Sequence, residues 1–257
     1  MKFQWIIEER DADAVRKFIG EHENKAFVRD RIAYNVTVPA PPFTREGFWK
    51  ALVMCLLTTQ QRSGPQSPVM RLLCADPFEL GLERCSADGT APRFLQILRS
   101  AGGIRRDETI SNQLATNLRI LNDSGWTLVE QGAQSLIAQR AREPQEGDAN
   151  AERKAAELVD AGLEGIGPKQ ARNLWQHLGL TRYEIPLDSR ILKWLKIANF
   201  PIAVSANALV SAEYYDFILD GVQELCRRSA VLPCVLDAAI FASFDPEWDE
   251  QLLAAMR

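Results

Sequence analysis

The sequence has few residues of the kinds that bind transition metals. Its 257 residues include two histidines and five cysteines. The cysteine spacings match neither a zinc site nor the tight four-cysteine cluster of an iron–sulfur protein, and neither histidine completes a zinc set. An odd number of cysteines in a long chain also argues against a disulfide framework. We therefore expect reduced thiols without a metal at Cys55, Cys74, Cys85, Cys226 and Cys234.

Long apolar runs are also missing. The longest, residues 48–57, is interrupted by Lys50, whereas a membrane-spanning helix needs about 20 predominantly apolar residues. The first residues carry neither the apolar core nor the small-residue cleavage site of a secretory signal. These features predict a protein of the cytoplasm or nucleoid, without a membrane partner.

The overall charge does not favour a polyanionic partner. The net charge is −4, and phosphate binding requires a basic face. The local balance differs in residues 165–196, which contain six bases and two acids. An acidic chain can therefore still present one basic face.

Helical periodicity dominates the sequence, and strand signals are scarce. Residues 11–22 place their apolar side chains on one face. Thr44 can cap a helix over residues 45–61, whose nearly continuous apolar sequence indicates burial on most sides. Residues 27–36 are compatible with a helix or a short strand. The chain is therefore predicted to be all-α.

One segment combines a tight turn with a helix start. Residues 163–173 read Leu-Glu-Gly-Ile-Gly-Pro-Lys-Gln-Ala-Arg-Asn. Gly165 and Gly167 permit a turn that approaches a ligand closely, and Pro168 suits the first turn of the next helix. That helix start presents unpaired N–H groups and a partial positive charge, which suit a phosphate. The pattern predicts a helix-hairpin-helix element over residues 151–180.

A lysine and an aspartate are predicted at two neighbouring helix starts. Lys169 follows the hairpin, and Asp188 precedes the amphipathic segment 189–198. Cleaving an N-glycosidic bond builds positive charge on the sugar, which a carboxylate stabilises. A neutral lysine amine can attack C1′ and hold the sugar as a Schiff base. The pair indicates this chemistry if it converges, although Lys169 could be an exposed lysine and Asp188 a simple N-cap.

Residues 163–173 and 186–195 together resemble the catalytic block of the helix-hairpin-helix DNA glycosylases. That block reads Leu-x-Gly-Val/Ile-Gly-x-Lys-x-Ala, followed by Val/Leu-Asp-x-x-Ile/Leu. The resemblance implies a base-excision-repair enzyme with Lys169 as nucleophile and Asp188 as essential carboxylate. Members without lyase activity place another residue at the lysine position, so Lys169 implies a bifunctional glycosylase and AP lyase.

Within this superfamily the sequence is most similar to the microbial 8-oxoguanine DNA glycosylases. Segments 187–192 and 236–241 resemble those enzymes, and the missing cysteine cluster argues against the iron–sulfur branch. The resemblance implies that the partner is double-stranded DNA containing a damaged base, that this base is 8-oxoguanine, and that there is no cofactor. It also implies two helical subdomains flanking a cleft, residues 1–62 with 200–257, and residues 63–199. A monomer is the default expectation.

The same resemblance implies roles for further residues. Gln60 would fill the gap that a flipped base leaves in the duplex, with Gln61 and Arg62 as alternatives. The other expected DNA contacts are Gly165, Gly167, Arg172 and Lys193, of which the last two could also be solvated surface. Aromatic side chains commonly sandwich a flipped base, and the candidates are Trp175, Phe241, Phe244 and Trp248. The carbonyl groups expected to bind Na⁺ or K⁺ are those of Ala161, Leu163 and Ile166.

Two other functions remain compatible with the sequence. The same fold could act on thymine or uracil opposite guanine, or on a modified pyrimidine. The chain could also be a catalytically silent hairpin protein that binds DNA or a partner. The presence of both Lys169 and Asp188 argues against the silent protein.

Overall fold

The computed structural model describes residues 4–61, 63–145 and 147–256, where the regular secondary structure is helical and no strand occurs. The α-helices are α1 (Glu9–His22), α2 (Ala26–Arg31), α3 (Arg45–Leu57), α4 (Pro68–Leu73), α5 (Leu82–Asp88), α6 (Ala91–Ala101), α7 (Asp107–Ile120), α8 (Trp126–Arg140), α9 (Asp148–Gly162), α10 (Pro168–His177), α11 (Ser189–Ile197), α12 (Ala212–Ser229), α13 (Pro233–Phe244) and α14 (Glu250–Ala255). Within the described ranges, none is long and apolar enough to cross a bilayer. The predicted all-α class is confirmed.

The ambiguous segment after α1 is helical. α2 continues into a π-helical turn over Ile32–Val36. Val28 of α2 is fully buried and packs with small side chains of α13, among them Ala238 and Ala239. The segment is therefore a helix because its apolar side chains pack on α13, and no partner strand is available among the described residues.

Helix α3 is buried along most of its length, as its apolar sequence predicts. Thr44 caps it, because its hydroxyl accepts a hydrogen bond of 3.0 Å from the Gly47 amide. The Trp49 indole donates to the Leu80 carbonyl at 2.7 Å, so this aromatic ring is buried without an unpaired donor. The helix ends at Leu57, and the chain then turns out toward solvent at Gln60.

The buried apolar side chains form two principal clusters. The larger cluster contains side chains of all helices from α3 through α10, together with Trp248 and Leu253 near the C-terminus. The second joins α1, α11, α12 and α13. This division differs from the predicted boundaries, because α3 packs with the central helices and α11 packs with the terminal ones. Helices α10 and α11, which carry Lys169 and Asp188, thus belong to different clusters.

Buried charged side chains fix the segment that leads to Asp188. The Glu152 carboxylate accepts hydrogen bonds from the amides of Arg182, Tyr183 and Glu184 at 2.7–2.9 Å. Burial raises the pKa of Glu152 to about 8, although these amide donors oppose the rise. The fully buried Arg140 guanidinium donates to the Tyr34 and Val36 carbonyls of the π-helical turn, to the Thr37 carbonyl just after it, and to the Gly179 carbonyl after α10. These hydrogen bonds hold the connection between α10 and α11 in one conformation.

Candidate active site

A tight turn joins α9 to α10. Gly165 has a φ of 78°, in the left-handed region that favours glycine, whereas Gly167 is extended with a φ of −105°. Asn117 of α7 holds the turn, because its side chain donates to the Glu164 carbonyl at 2.9 Å and accepts from the Glu164 amide at 2.7 Å. The sequence analysis did not identify Asn117. An asparagine inside a helix is unfavourable, and this was the signal that could have pointed to it.

Lys169 lies in the first turn of α10 and is half-buried. Its Nζ donates to Oε1 of Gln170 at 3.3 Å. The Cys55 thiol of α3 lies close enough to interact with this amine, and burial raises the pKa of Cys55 to about 12. The Cys55 thiol therefore stays neutral. Where α10 packs on α3, the groups beside the Lys169 amine are this thiol and the Gln170 amide, and both are uncharged.

Asp188 is the N-cap of α11. Its Oδ1 accepts from the amides of Arg190 and Ile191 at 2.8 and 3.0 Å, and its Oδ2 accepts from the Arg190 guanidinium at 2.7 Å. The same guanidinium pairs with Asp245, which follows α13. The simple capping role is therefore real, and it fixes the orientation of a carboxylate whose side chain is still 19% exposed.

Asp237 of α13 is a second carboxylate at this place. It is 8% exposed, and Nη1 of Arg31 lies 3.4 Å from its Oδ2. Burial raises the pKa of Asp237 to about 6; Arg31 opposes the rise, the Asp188 carboxylate adds to it, and Lys169 opposes it. Lys169 and Asp188 therefore both lie within electrostatic range of Asp237, which is on α13 where that helix packs against α11. Sequence reasoning missed Asp237, although a lone acid in the apolar sequence of α13 was a usable signal.

Three predicted pocket aromatics lie beside the start of α11. Phe241 stacks on Phe27 with ring centroids 4.2 Å apart, and the Arg190 guanidinium carbon lies 4.5 Å from its centroid. Trp248 meets Phe241 edge-on at 5.7 Å, and its buried indole N–H has no hydrogen-bond partner among the described residues. Phe244 is 38% exposed. Their use as a base pocket stays a prediction.

The predictions for Arg172 and Trp175 are wrong. Arg172 is 2% exposed and donates to Glu184 at 2.9 Å and to Asp216 at 2.6 Å, so it cannot reach a phosphate. Trp175 is fully buried, and its indole donates to the Ala155 carbonyl at 2.8 Å. The physical reason is that α3 and α9 pack on α10 and bury Trp175, while Glu184 and α12 cover Arg172.

The predicted wedge lies just beyond α3. Gln60 is exposed and has a φ of 58°, an uncommon conformation for a residue other than glycine. The neighbouring Gln61 turns inward, where its side chain donates to the Leu57 carbonyl and accepts from the Arg105 amide at 2.8 Å. Arg62 lies outside the described residues. Gln60 therefore remains the candidate, and Lys193 is exposed on α11 as a candidate phosphate contact.

Neither a protein-family model nor a curated protein sequence matches this chain. Two solved structures from Methanocaldococcus jannaschii are similar to it. An 8-oxoguanine glycosylase/lyase in complex with DNA containing 8-oxoguanine superposes with a TM-score of 0.62 at 17% identity, over 90% of this chain and 96% of that one. An 8-oxoguanine DNA glycosylase gives a TM-score of 0.57 at 16% identity, over 93% and 94%. The chain therefore has the helical fold of these 8-oxoguanine DNA glycosylases.

Proposed function

We propose that this protein is a DNA glycosylase with AP-lyase activity that removes 8-oxoguanine from double-stranded DNA. The observation that carries the proposal is that the buried Asp237 carboxylate interacts electrostatically with both Lys169 and Asp188. The fold shared with the two M. jannaschii structures supports it. We propose in addition that the protein acts as a monomer in the cytoplasm, on nucleoid DNA.

In the proposed reaction the Lys169 amine attacks C1′ of the damaged nucleotide. The new C–N bond forms as the N-glycosidic bond breaks, and the base leaves with the bonding electrons and takes up a proton. Asp188 stabilises the positive charge that develops on the sugar. Opening of the sugar ring gives a Schiff base with Lys169, from which β-elimination releases the 3′ phosphate.

Other residues are proposed to hold the DNA. The amides of Gly165 and Gly167 would anchor a phosphate at the start of α10, and Lys193 would contact another. Phe241, Phe244 and Trp248 would surround the flipped base. A monovalent cation would be held by the carbonyl groups of Ala161, Leu163 and Ile166. Ala161 lies in the last turn of α9, where carbonyl groups lack an intrahelical donor and so suit a cation.

Borohydride trapping on a panel of lesion-bearing duplexes tests the proposal. Wild-type protein should form a covalent complex with 8-oxoguanine DNA, and Lys169→Gln should reduce trapping by at least about 10³-fold because the nucleophile is missing. Lys154→Gln, which removes an exposed lysine of α9, is the matched control and should trap normally. Trapping with another lesion instead would change the substrate. DNA binding without trapping on every lesion would overturn the bifunctional lyase assignment and favour a monofunctional glycosylase or a catalytically silent protein.

Replacing Gln60 by glycine should change stability and activity in opposite directions. Glycine relieves the left-handed backbone, so the free energy of unfolding should rise by up to about 1 kcal/mol. Excision from duplex DNA should fall about tenfold, because no side chain fills the gap left by the flipped base. Ala230→Gly is the matched control, since Ala230 also has a positive φ, of 56°, and should gain stability with unchanged excision. Unchanged excision in Gln60→Gly would exclude the wedge role.

A further inference from the structure

The side chain of Gln170, the residue that follows Lys169, is buried and makes four hydrogen bonds. Its Nε2 donates to the Cys55 carbonyl at 2.6 Å and to the Thr59 hydroxyl oxygen at 2.7 Å. Its Oε1 accepts from Lys169 Nζ and from Asn173 Nδ2, each at 3.3 Å. A carbonyl oxygen can only accept and an ammonium can only donate, so these partners define the orientation of the amide.

The partners of Gln170 on α3 lie next to the predicted wedge. Cys55 is in the last turn of α3, and Thr59 immediately precedes Gln60. The Thr59 hydroxyl also donates to the main-chain carbonyl of Cys55 at 2.9 Å. The Cys55 thiol donates to the main-chain carbonyl of Gln170 at 3.6 Å. The Gln170 side chain therefore links the Lys169 amine to the end of α3, and both its NH2 group and its carbonyl oxygen have hydrogen-bond partners.

We propose that Gln170 is a positioning residue that holds the Lys169 amine in place through a neutral acceptor. The inference rests on the proposed function in one respect, namely that Lys169 is the nucleophile. A carboxylate at this position would also orient the amine, but its charge would favour the protonated, unreactive form. An amide orients the amine without adding a full negative charge beside it. The link to α3 also holds the amine in a fixed relation to Gln60.

Two substitutions separate orientation from charge. Gln170→Met keeps the length of the side chain and removes its four side-chain hydrogen bonds, so single-turnover trapping should slow about tenfold at all pH values, while DNA affinity stays within about twofold. Gln170→Glu should instead shift the pH profile of trapping upward by about one pH unit or more, because an opposite charge now faces the amine, and should recover at high pH. A side chain that supports the fold without facing the amine would not shift that profile, and the slower trapping of Gln170→Met tests the orientation itself.

The matched control is Gln134→Glu, which adds the same charge at an exposed site on α8 and should leave the profile unchanged. A second measurement needs no DNA: the pH dependence of Lys169 acylation by an amine-reactive reagent, read by mass spectrometry. The acylation profile should shift upward in Gln170→Glu. If wild type traps with no lesion but acylation shifts in Gln170→Glu, the contact of Gln170 with the Lys169 amine stands and the proposed lyase function fails. Unchanged acylation in Gln170→Glu, or wild-type trapping in Gln170→Met, would overturn the role of Gln170.

Discussion

Replacing Asp188 by asparagine should reduce base excision on the order of 10²-fold or more while leaving the fold almost intact. The amide oxygen of asparagine can accept from the Arg190 and Ile191 amides as Oδ1 of Asp188 does, and asparagine is as good an N-cap as aspartate. Arg190 keeps its second carboxylate partner, Asp245. The free energy of unfolding should therefore change by less than about 1 kcal/mol. Single-turnover excision and chemical denaturation measure the two effects.

The controls for Asp188 separate its capping role from its charge. Asp249 caps α14 by accepting from the Leu252 amide at 2.8 Å, so Asp249→Asn makes the same chemical change away from Lys169 and should excise normally. Asp188→Ala removes the cap as well as the charge, and should cost a further 0.5–2 kcal/mol, roughly, of stability. An Asp188→Asn protein that excises at the wild-type rate would leave Asp188 as a cap alone.

Replacing Arg172 by methionine should destabilise the protein by about 3 kcal/mol, because the buried Glu184 carboxylate loses one of its two arginine partners and keeps only Arg153. The guanidinium pairs with Glu184 and Asp216 and lies over the Tyr215 ring at 4.5 Å. For a chain of this size the loss corresponds to a fall in Tm of about 10 °C. Scanning calorimetry measures the fall, and fluorescence anisotropy measures DNA affinity below the transition.

The instability of Arg172→Met should also depend on pH. Burial raises the pKa of Glu184, and Arg172 and Arg153 oppose that rise. Without Arg172 the pKa of Glu184 in the folded protein rises further above its value in the unfolded chain. The protonated carboxyl then favours folding at low pH, and this contribution to the free energy of unfolding is lost as the pH increases through the folded-state pKa. The deficit against wild type should therefore be larger in alkaline than in acidic buffer. A deficit that is larger in acid would contradict the buried ion pair.

Lys193→Met is the matched comparison for Arg172→Met. Lys193 is exposed on α11, with its Nζ 5.8 Å from the Phe244 centroid, so its replacement should change stability by less than about 0.5 kcal/mol. It should weaken DNA binding and reduce the slope of log K against log salt by about 0.9. If Arg172→Met instead weakened DNA binding at unchanged Tm, Arg172 would belong to the DNA interface after all.

The sequence by itself determined the local features of the site. Thr44 caps α3, Pro168 begins α10, and Asp188 caps α11, because capping and proline preferences depend on a few adjacent residues. The burial of α3 could be predicted in the same way, because apolar residues cover every face of this helix in its own sequence. These features fix two helix starts, each with one reactive side chain, before any tertiary contact is known.

Tertiary structure alone decided which side chains reach the site. Arg172 and Trp175 follow Lys169 on the same helix, but both are buried, Trp175 by α3 and α9 and Arg172 by α12. The positive charge of Arg172 predicted an exposed side chain. In the structure this side chain is buried and forms ion pairs with Glu184 and Asp216, which are distant in sequence. Asp237 joins the site from α13 for the opposite reason, since its apolar neighbours place it inside. Sequence spacing gives the order of residues along a helix, and only packing between helices sets which face remains open.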